Sequence, residues 1–449
     1  MDAKLTSSFR DPAGYVFERD GELYRQILPA GKEAFTHFQQ SGIGEHLISQ
    51  GKMAAFTVDG ENELGPVLHL SRLPFVTYPY EWCFSQLKEA ALLTIELMQE
   101  ALSCEMILKD ASAFNVAFHK CHPIFLDHTS FEIYHDGMPW RAYRQFTMQF
   151  IVPLLLMQKV DLRCLGLLRE DIGGIPLDLG SHLLPWYTWL QPNSLLHIHL
   201  HALFEQKYSS DKASQKTSQL PKKRLLALLE NIKGWLSSLK APKQATEWAQ
   251  YYNDNSYSKE SFEYKKQAVM EFCSKEKVKR CIDLGANCGV FTQITAEHAD
   301  TVIAADYDAR AVEALFQLGK TQASNIQPML LDLNNPSPDI GVLNNERDSF
   351  LKRTKADCVL GLALLHHLRI SGNWSLGQIV SLFDRLAPRV LVEFVPLEDV
   401  QTQRLIRGRE EIFQDWTLEN LCKAFREKYS RFKVEVIPQS GRVLMAFER

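Results

Sequence analysis

The sequence predicts a two-domain α/β protein: a carboxyl-terminal, mostly parallel sheet with helices on both faces, preceded by an α+β domain. Three observations carry this expectation. A strand breaks into a glycine turn and restarts as a helix at Lys279 to Thr292; four further apolar runs downstream each end in a polar residue; and a polar stretch at 206–221 divides the chain. The expected boundaries are 1–205, a linker at 206–221, and 222–449 with its core from about 248.

In the first of these stretches Cys281, Ile282 and Leu284 form a short apolar run with Asp283 at its carboxyl end, and Gly285 and Gly289 flank Ala286, Asn287 and Cys288. Glycines let the backbone adopt dihedrals closed to other residues and approach a ligand closely. An open α/β sheet binds its ligand at the carboxyl ends of its strands. The Gly-x-Gly-x-x-Gly spacing of a dinucleotide fold is missing. Asp-x-Gly-x-x-x-Gly instead resembles motif I of the class I S-adenosylmethionine (SAM)-dependent methyltransferases, with Asn287 in place of the middle glycine. An ordinary strand-turn-helix is the alternative reading of that stretch alone.

The next strands are Thr301 to Asp306, Met329 to Asp332, Asp357 to His367 and Arg389 to Phe394. Five strands separated by helical segments mean βα units and a parallel sheet. Asp306 stands where an acid accepts ribose hydroxyls, and Asp332 would follow near an adenine amino group. Each acid taken singly could be a helix cap or a turn residue; their ordered recurrence argues for a binding rim.

A net charge of −4 over 449 residues offers no global field for nucleic acid. The nine cysteines are scattered, with no Cys-x-x-Cys pair, which suits a reducing cytosol better than a disulfide framework or a zinc site. The amino terminus has no apolar export core, and the most apolar segment, Phe150 to Met157, contains Pro153 and is far shorter than the about 20 residues that span a bilayer. These features read as a cytoplasmic protein without a transmembrane segment.

In the amino-terminal domain, Gly14 to Arg19, the Asp20-Gly21 turn and Leu23 to Ile27 form a hairpin signal. Glu33 to Ser49 and Trp82 to Leu102 have helical periodicity. Asp110, Asn115 and Asp127 then follow the spacing Asp-x-x-x-x-Asn, hairpin, strand, Asp. That spacing resembles the catalytic loop and metal-binding Asp of protein kinases and small-molecule phosphotransferases. The resemblance implies a base at Asp110, metal ligands at Asn115 and Asp127, and ATP with magnesium as cofactors. The pattern departs from active kinases in that no His-Arg precedes Asp110, no Gly follows Asp127, and Arg25 stands where the hairpin would offer a lysine. A loop ordered by Asp110 and Asn115, or a kinase-like fold used as a binding module, are the alternatives.

Further along, His197, His199 and His201 alternate as ligands on one face of a strand would, yet on a helix no two adjacent members of the set share a face. Lys222 to Lys240 places Leu225, Leu228, Leu229, Ile232, Trp235, Leu236 and Leu239 on one helical stripe with lysines opposite, suited to packing on a neighbouring domain or, alternatively, to a membrane surface. The aromatic run from Trp248 to Tyr257 could form a lid over a cofactor or pack the helix that follows it.

More particular wording lies in the carboxyl half: Asp332-Leu-Asn-Asn-Pro, Asn345-Glu346-Arg347, Leu362-Ala-Leu-Leu-His-His-Leu368 and Glu393-Phe-Val-Pro. Together these resemble the NoeA-type nodulation proteins, strongly over about 248–449 and more loosely before. The methyltransferase resemblance implies cofactor-binding roles for Asp283, Gly285, Asn287, Gly289, Asp306, Asp332 and Leu362. His366 and His367 follow the fourth strand and Glu393 ends the fifth, where methyl group and acceptor meet in this fold. A neutral imidazole there could act as general base; a cap, a packed core residue or a two-His-plus-Glu metal site are the other readings. The resulting expectation is methyl transfer from SAM to O or N of an acceptor, a small molecule or protein rather than nucleic acid. Two alternatives remain: a phosphotransferase with a regulatory SAM domain, and a non-catalytic SAM-binding regulator.

Overall fold

A computed structural model describes residues 3–210, 219–242, 258–322 and 325–449. The chain forms two compact units, Met1–Lys243 together with Asp339–Arg347, and Gln244–Pro338 together with Asp348–Arg449. The Trp248 to Tyr257 run and half of the expected linker, 211–218, lie outside the described residues, while its first residues continue the Leu200–Ser210 helix.

The first unit opens with strands β1 (Ala3–Lys4), β2 (Gly14–Arg19), β3 (Glu22–Ile27), β4 (Phe56–Asn62) and β5 (Gly65–Leu70), an antiparallel sheet in the order β1-β2-β3-β5-β4. Asp20 and Gly21 turn β2 into β3 with φ of 53° and 83°, the paired positive angles that a two-residue hairpin requires. The helical run expected over Glu33 to Ser49 is two helices, Pro29–Gln40 and Ile43–Ser49. Gly42, at φ 73°, breaks it between them.

The Phe84–Ser103 helix leads to β6 (Met106–Leu108), the hairpin of β7 (Val116–His119) and β8 (His122–Phe125), and β9 (Phe131–Ile133), which pairs with β6. The helix Lys222–Ser238 corrects the expected boundary. It belongs to this first unit, burying Leu225, Leu229, Ile232 and Leu236 beside the Phe84–Ser103 helix. Lys88 Nζ donates to the carbonyls of Ser237 and Leu239 at 2.8 and 2.7 Å, so the apolar stripe is core.

The second unit is a seven-stranded sheet of β10 (Val278–Leu284), β11 (Ala299–Asp306), β12 (Ile326–Leu330), β13 (Cys358–Gly361), β14 (Arg389–Phe394), β15 (Arg431–Val436) and β16 (Val443–Glu448). Its order is β12-β11-β10-β13-β14-β16-β15. The first five strands are parallel, as the apolar runs imply, while β16 and β15 return antiparallel. β12 ends at Leu330, so Asp332 lies two residues beyond it rather than in it. Cys281, Val302, Cys358 and Leu391 pack on one face with Val269 and Phe272 of the Lys259–Ser274 helix. On the other face Phe383, from the Leu376–Leu386 helix, lies against Gly361. The order in which successive strands are added reverses about β10, so a switch point falls between β10 and β13, where open α/β sheets bind ligands.

Gly289 fixes how closely the helix after β11 approaches. Its φ is +85°, and a Cβ there would stand 2.4 Å from Leu315 Cδ2. Gly289→Ala is therefore expected to destabilise the second unit by about 1–3 kcal/mol through overpacking and backbone strain, read by chemical denaturation. Gly377→Ala, in an exposed helical turn with open space around it, is the control and should be neutral or slightly stabilising.

Candidate active site

At the end of β10 the chain turns through Gly285 (φ 72°) and Asn287 (φ 47°) before the Val290–Ala296 helix. The N–H groups of Gly285 and Ala286 donate to the carbonyl of Ala305 at 2.9 and 3.1 Å. Asn287 N donates to Asp306 Oδ2 at 2.8 Å, and Asp308 N to Asp306 Oδ1 at 2.9 Å. Thr292 Oγ1 donates to Asp283 Oδ2 at 2.6 Å. The glycine turn and the two strand-end carboxylates are thus one hydrogen-bonded construction.

Above it lies a cavity of about 420 Å³. Asp283, Gly285, Asn287, Asp306, Asp332 and Leu362 all line it, with Asn334 and Ser371 adding polar groups and Phe262, Phe291, Leu364 and Leu405 apolar walls. Gly289 is not among the lining residues; it acts from behind, through its packing on Leu315. Ala363, next to Leu362, holds φ at 49°, a strained conformation for a residue with a side chain.

Burial pushes the Asp283 carboxyl up to about 7, with Asp306 adding to the rise and the Thr292 hydroxyl opposing it. Asp306 is pushed up to about 6, again mainly by burial and against its backbone donors. The Asn287 Oδ1 atom is buried without a hydrogen-bond partner. The cavity rim is therefore rich in acceptors and short of donors. A ligand with an ammonium group and hydroxyls would supply them.

The three residues expected to be catalytic are placed differently. His367 lines the cavity, and burial with the nearby Arg442 holds its imidazole down at about 4, neutral at physiological pH. His366 lies beside it, with ring centroids 4.2 Å apart and the planes tilted by 40°. It is 1% exposed, does not line the cavity, and keeps a buried Nδ1 without a partner. Burial, then the neighbouring His367 and Arg442, holds it well below the usual histidine range.

Glu393 is a correction. It is fully buried, does not line the cavity, and accepts from Lys265 Nζ at 2.7 Å and Arg442 Nη1 at 3.4 Å. Arg442 Nε in turn donates to Asp399 at 2.8 Å. A carboxylate held between two cations is an anchor; neither a base nor part of a two-His-plus-Glu metal site.

Lys265 is the cavity residue the sequence reading missed. It lies 4.8 Å from the centroid of Phe291 and lines the cavity. Burial lowers its ammonium pKa while Glu393 opposes the shift. The available signal was its helical spacing with the buried Ser261 and Val269, a face on which a lysine needs a partner.

In the first unit Asp110, Asn115 and Asp127 do come together. Asp110 accepts from Gln145 Nε2 at 2.8 Å and Ser112 N at 3.0 Å, and Asn115 Nδ2 donates to Ser130 Oγ at 3.2 Å. Burial and the facing Asp127 push the Asp110 carboxyl up. Asp127 is committed elsewhere: Arg25 and Thr129 donate to Oδ1 and Ser130 to Oδ2. Burial would raise its pKa, but Arg25 and these hydroxyls outweigh it and hold the carboxyl at about 2. Of the alternating histidines, His197 and His201 share Tyr143 as a neighbour while His199 turns away from both. His197 meets Tyr143 and Asn231, His199 meets Ser181 and Thr188, and His201 stacks on Tyr143. Among the described residues no group of three His, Cys, Asp or Glu is placed to hold a metal ion, and no helix is long and apolar enough to cross a membrane.

The sheet thus carries two antiparallel strands after five parallel ones, with an acid-rimmed cavity over the glycine turn. No protein-family model matches the chain. The nodulation protein NoeA of Rhizobium meliloti (strain 1021) is 34% identical over 461 residues, spanning 99% of this chain and 96% of the relative. The chain belongs to the NoeA family. Solved structures similar to part of it include the N-methyltransferase NodS from Bradyrhizobium japonicum WM9, 14% identical over 43% of this chain and 98% of that one at a TM-score of 0.31. Another is the magnesium protoporphyrin IX methyltransferase from Synechocystis PCC 6803 with bound S-adenosylhomocysteine (16%, 45% and 92%, TM-score 0.31). A third is the bifunctional kinase-methyltransferase WbdD (11%, 46% and 43%, TM-score 0.32).

The raised pKa of Asp283 has a sign that can be measured. A carboxyl whose folded pKa of about 7 lies above its unfolded value of about 3.9 binds more protons in the native state. Its contribution to stability is complete below about pH 4 and lost as pH rises through about 7. Asp283→Asn removes that dependence. Relative to wild type the variant should gain stability across this window, on the order of a few kcal/mol, in urea denaturation of the ligand-free protein at a series of pH values.

Proposed function

We propose that this protein transfers a methyl group from SAM to an oxygen or nitrogen of an acceptor bound beside His367. The observation that carries the reading is the cavity at the ends of β10 to β13. Its buried Asp283 and Asp306 are held protonatable, and the unpartnered Asn287 Oδ1 faces the same turn. SAM supplies an electrophilic methyl on a sulfonium sulfur. Asp306 and Asp332 are read as acceptors for the ribose hydroxyls and adenine amino group, Asp283 as the acid facing the amino-acid end, and Leu362 as an apolar wall.

A bound SAM would supply its methyl to the acceptor's lone pair, the C–S electrons staying on sulfur. His367, neutral and within the cavity wall, would take the acceptor's proton at Nδ1 or Nε2 as the new bond forms, a transfer most favourable for a hydroxyl, whose proton becomes strongly acidic on methylation. Glu393 and Arg442 act indirectly, by keeping Lys265 in the wall. Positioning alone can contribute about 7–11 kcal/mol.

The first unit supports a kinase-like scaffold used for binding. Two helices lie between its third and fourth strands, and the Asp110 loop, a hairpin and Asp127 follow in order. Phosphoryl transfer with ATP and magnesium is disfavoured by Arg25, which occupies the carboxylate that a metal would need. The acceptor is read as a small molecule or protein, given the net charge of −4, and the site of action as the cytoplasm. Full-length similarity to a nodulation protein makes nodulation the process in which to seek that acceptor.

Incubation with methyl-labelled SAM and fractionated metabolites and proteins tests the reading. Label should move to one fraction, and His367→Asn should lower turnover about 10²–10⁴-fold with SAM affinity little changed. Turnover equal to wild type in the variant would remove His367 as base.

A further inference from the structure

The two edges of the seven-stranded sheet are unlike. β12, at one edge, buries four of its five residues. β15, at the other, is exposed at five of its six positions, and among the described residues only β16 pairs with it. Along β15 the side chains alternate. Phe432, Val434 and Val436 point to one face, 46%, 38% and 66% exposed; Lys433 and Glu435 point to the other and pair with each other at 2.7 Å.

An exposed edge with an apolar face templates pairing with another strand, and natural proteins usually block it with a lysine, a proline or a bulge. Lys433 would be such a block if it stood without a matching charge. A two-fold axis through Val434 changes its meaning. Antiparallel pairing of β15 with its own copy about that axis sets Val434 opposite Val434, Phe432 opposite Val436, and Lys433 opposite Glu435, each of the last two pairs twice. Directly opposed residues share a face. Over Phe432 to Val436 every charge therefore meets its opposite and every apolar residue an apolar one, while Arg431, the first residue of the strand, falls outside this register, opposite Ile437.

We propose that β15 is a self-recognition edge through which two copies of this chain join in an antiparallel, two-fold dimer with one continuous sheet. Such an interface closes on itself, because each copy spends the exposed edge of its seven-stranded sheet. Six residues a side make a small contact beside the roughly 1,200–2,000 Å² of stable interfaces. The dimer is therefore concentration-dependent. The edge lies apart from the cavity residues, so SAM binding is independent of it.

Sedimentation equilibrium of the full chain over a concentration series tests this, with circular dichroism to verify folding. Wild type should move from the 51.4 kDa monomer to twice that mass. Lys433→Glu, which sets Glu opposite Glu, and Val434→Lys, which sets Lys on Lys at the axis, should each return the mass to that of the monomer. The double variant Lys433→Glu with Glu435→Lys restores opposite charges across the axis and should recover the dimer. A wild type that stays monomeric throughout overturns the proposal. So does a dimer that survives Val434→Lys, or single and double charge variants that behave alike.

Discussion

The second unit depends on burying two carboxylates at adjacent strand ends without giving them enough donors. Asp283 and Asp306 are 3% and 8% exposed, and what they receive comes from one threonine hydroxyl and from backbone N–H groups. Burial of a charge in that condition moves its pKa toward neutrality. The cost is tolerable because the glycine turn cannot be formed elsewhere: Asn287 N is tied to Asp306, and Gly285 and Ala286 to the carbonyl of Ala305. A site made ready in this way gains on binding whatever it lacks beforehand.

A second buried charge system supports the wall from the side. Lys265, Glu393, Arg442 and Asp399 come from a helix, a strand end, the start of the last strand and the loop after β14. Removing one partner from such a network typically costs about 3–5 kcal/mol, because the other is left buried and unpaired. The network therefore ties the antiparallel strands, which carry no cavity residue, to the helix that closes the cavity. It also contributes to holding His366 and His367 neutral, since Arg442 opposes a positive charge on either.

Much of this was readable in the letters, and the reasons differ by residue. Asp283, Gly285, Asn287, Asp306 and Leu362 sit at the ends of apolar runs, and a parallel sheet brings such ends to one rim wherever the runs recur in order. Glu393 has the same local signature yet faces the core, because the side to which a strand-end acid turns is decided by Lys265 and Arg442, 128 and 49 residues away in sequence. Local pattern does not carry contacts of that range. β15 is legible as a strand, since Arg431 to Val436 alternates polar and apolar residues, but it lacks the buried apolar run that marks the five parallel strands. The Lys222–Ser238 helix was assigned to the wrong unit for the same reason as Glu393: its apolar stripe is plain, but the helix it packs on is remote.

The most direct test of the account is calorimetric titration of SAM into the full-length protein near pH 6.5, in two buffers of different ionisation enthalpy. Donors from the ligand should return Asp283 and Asp306 to their ionised forms, so saturable binding with net proton release is the expected result, lost in Asp306→Ala. Saturable binding without proton exchange, or no binding to the wild type, would contradict the claim that these two carboxylates form the cofactor rim.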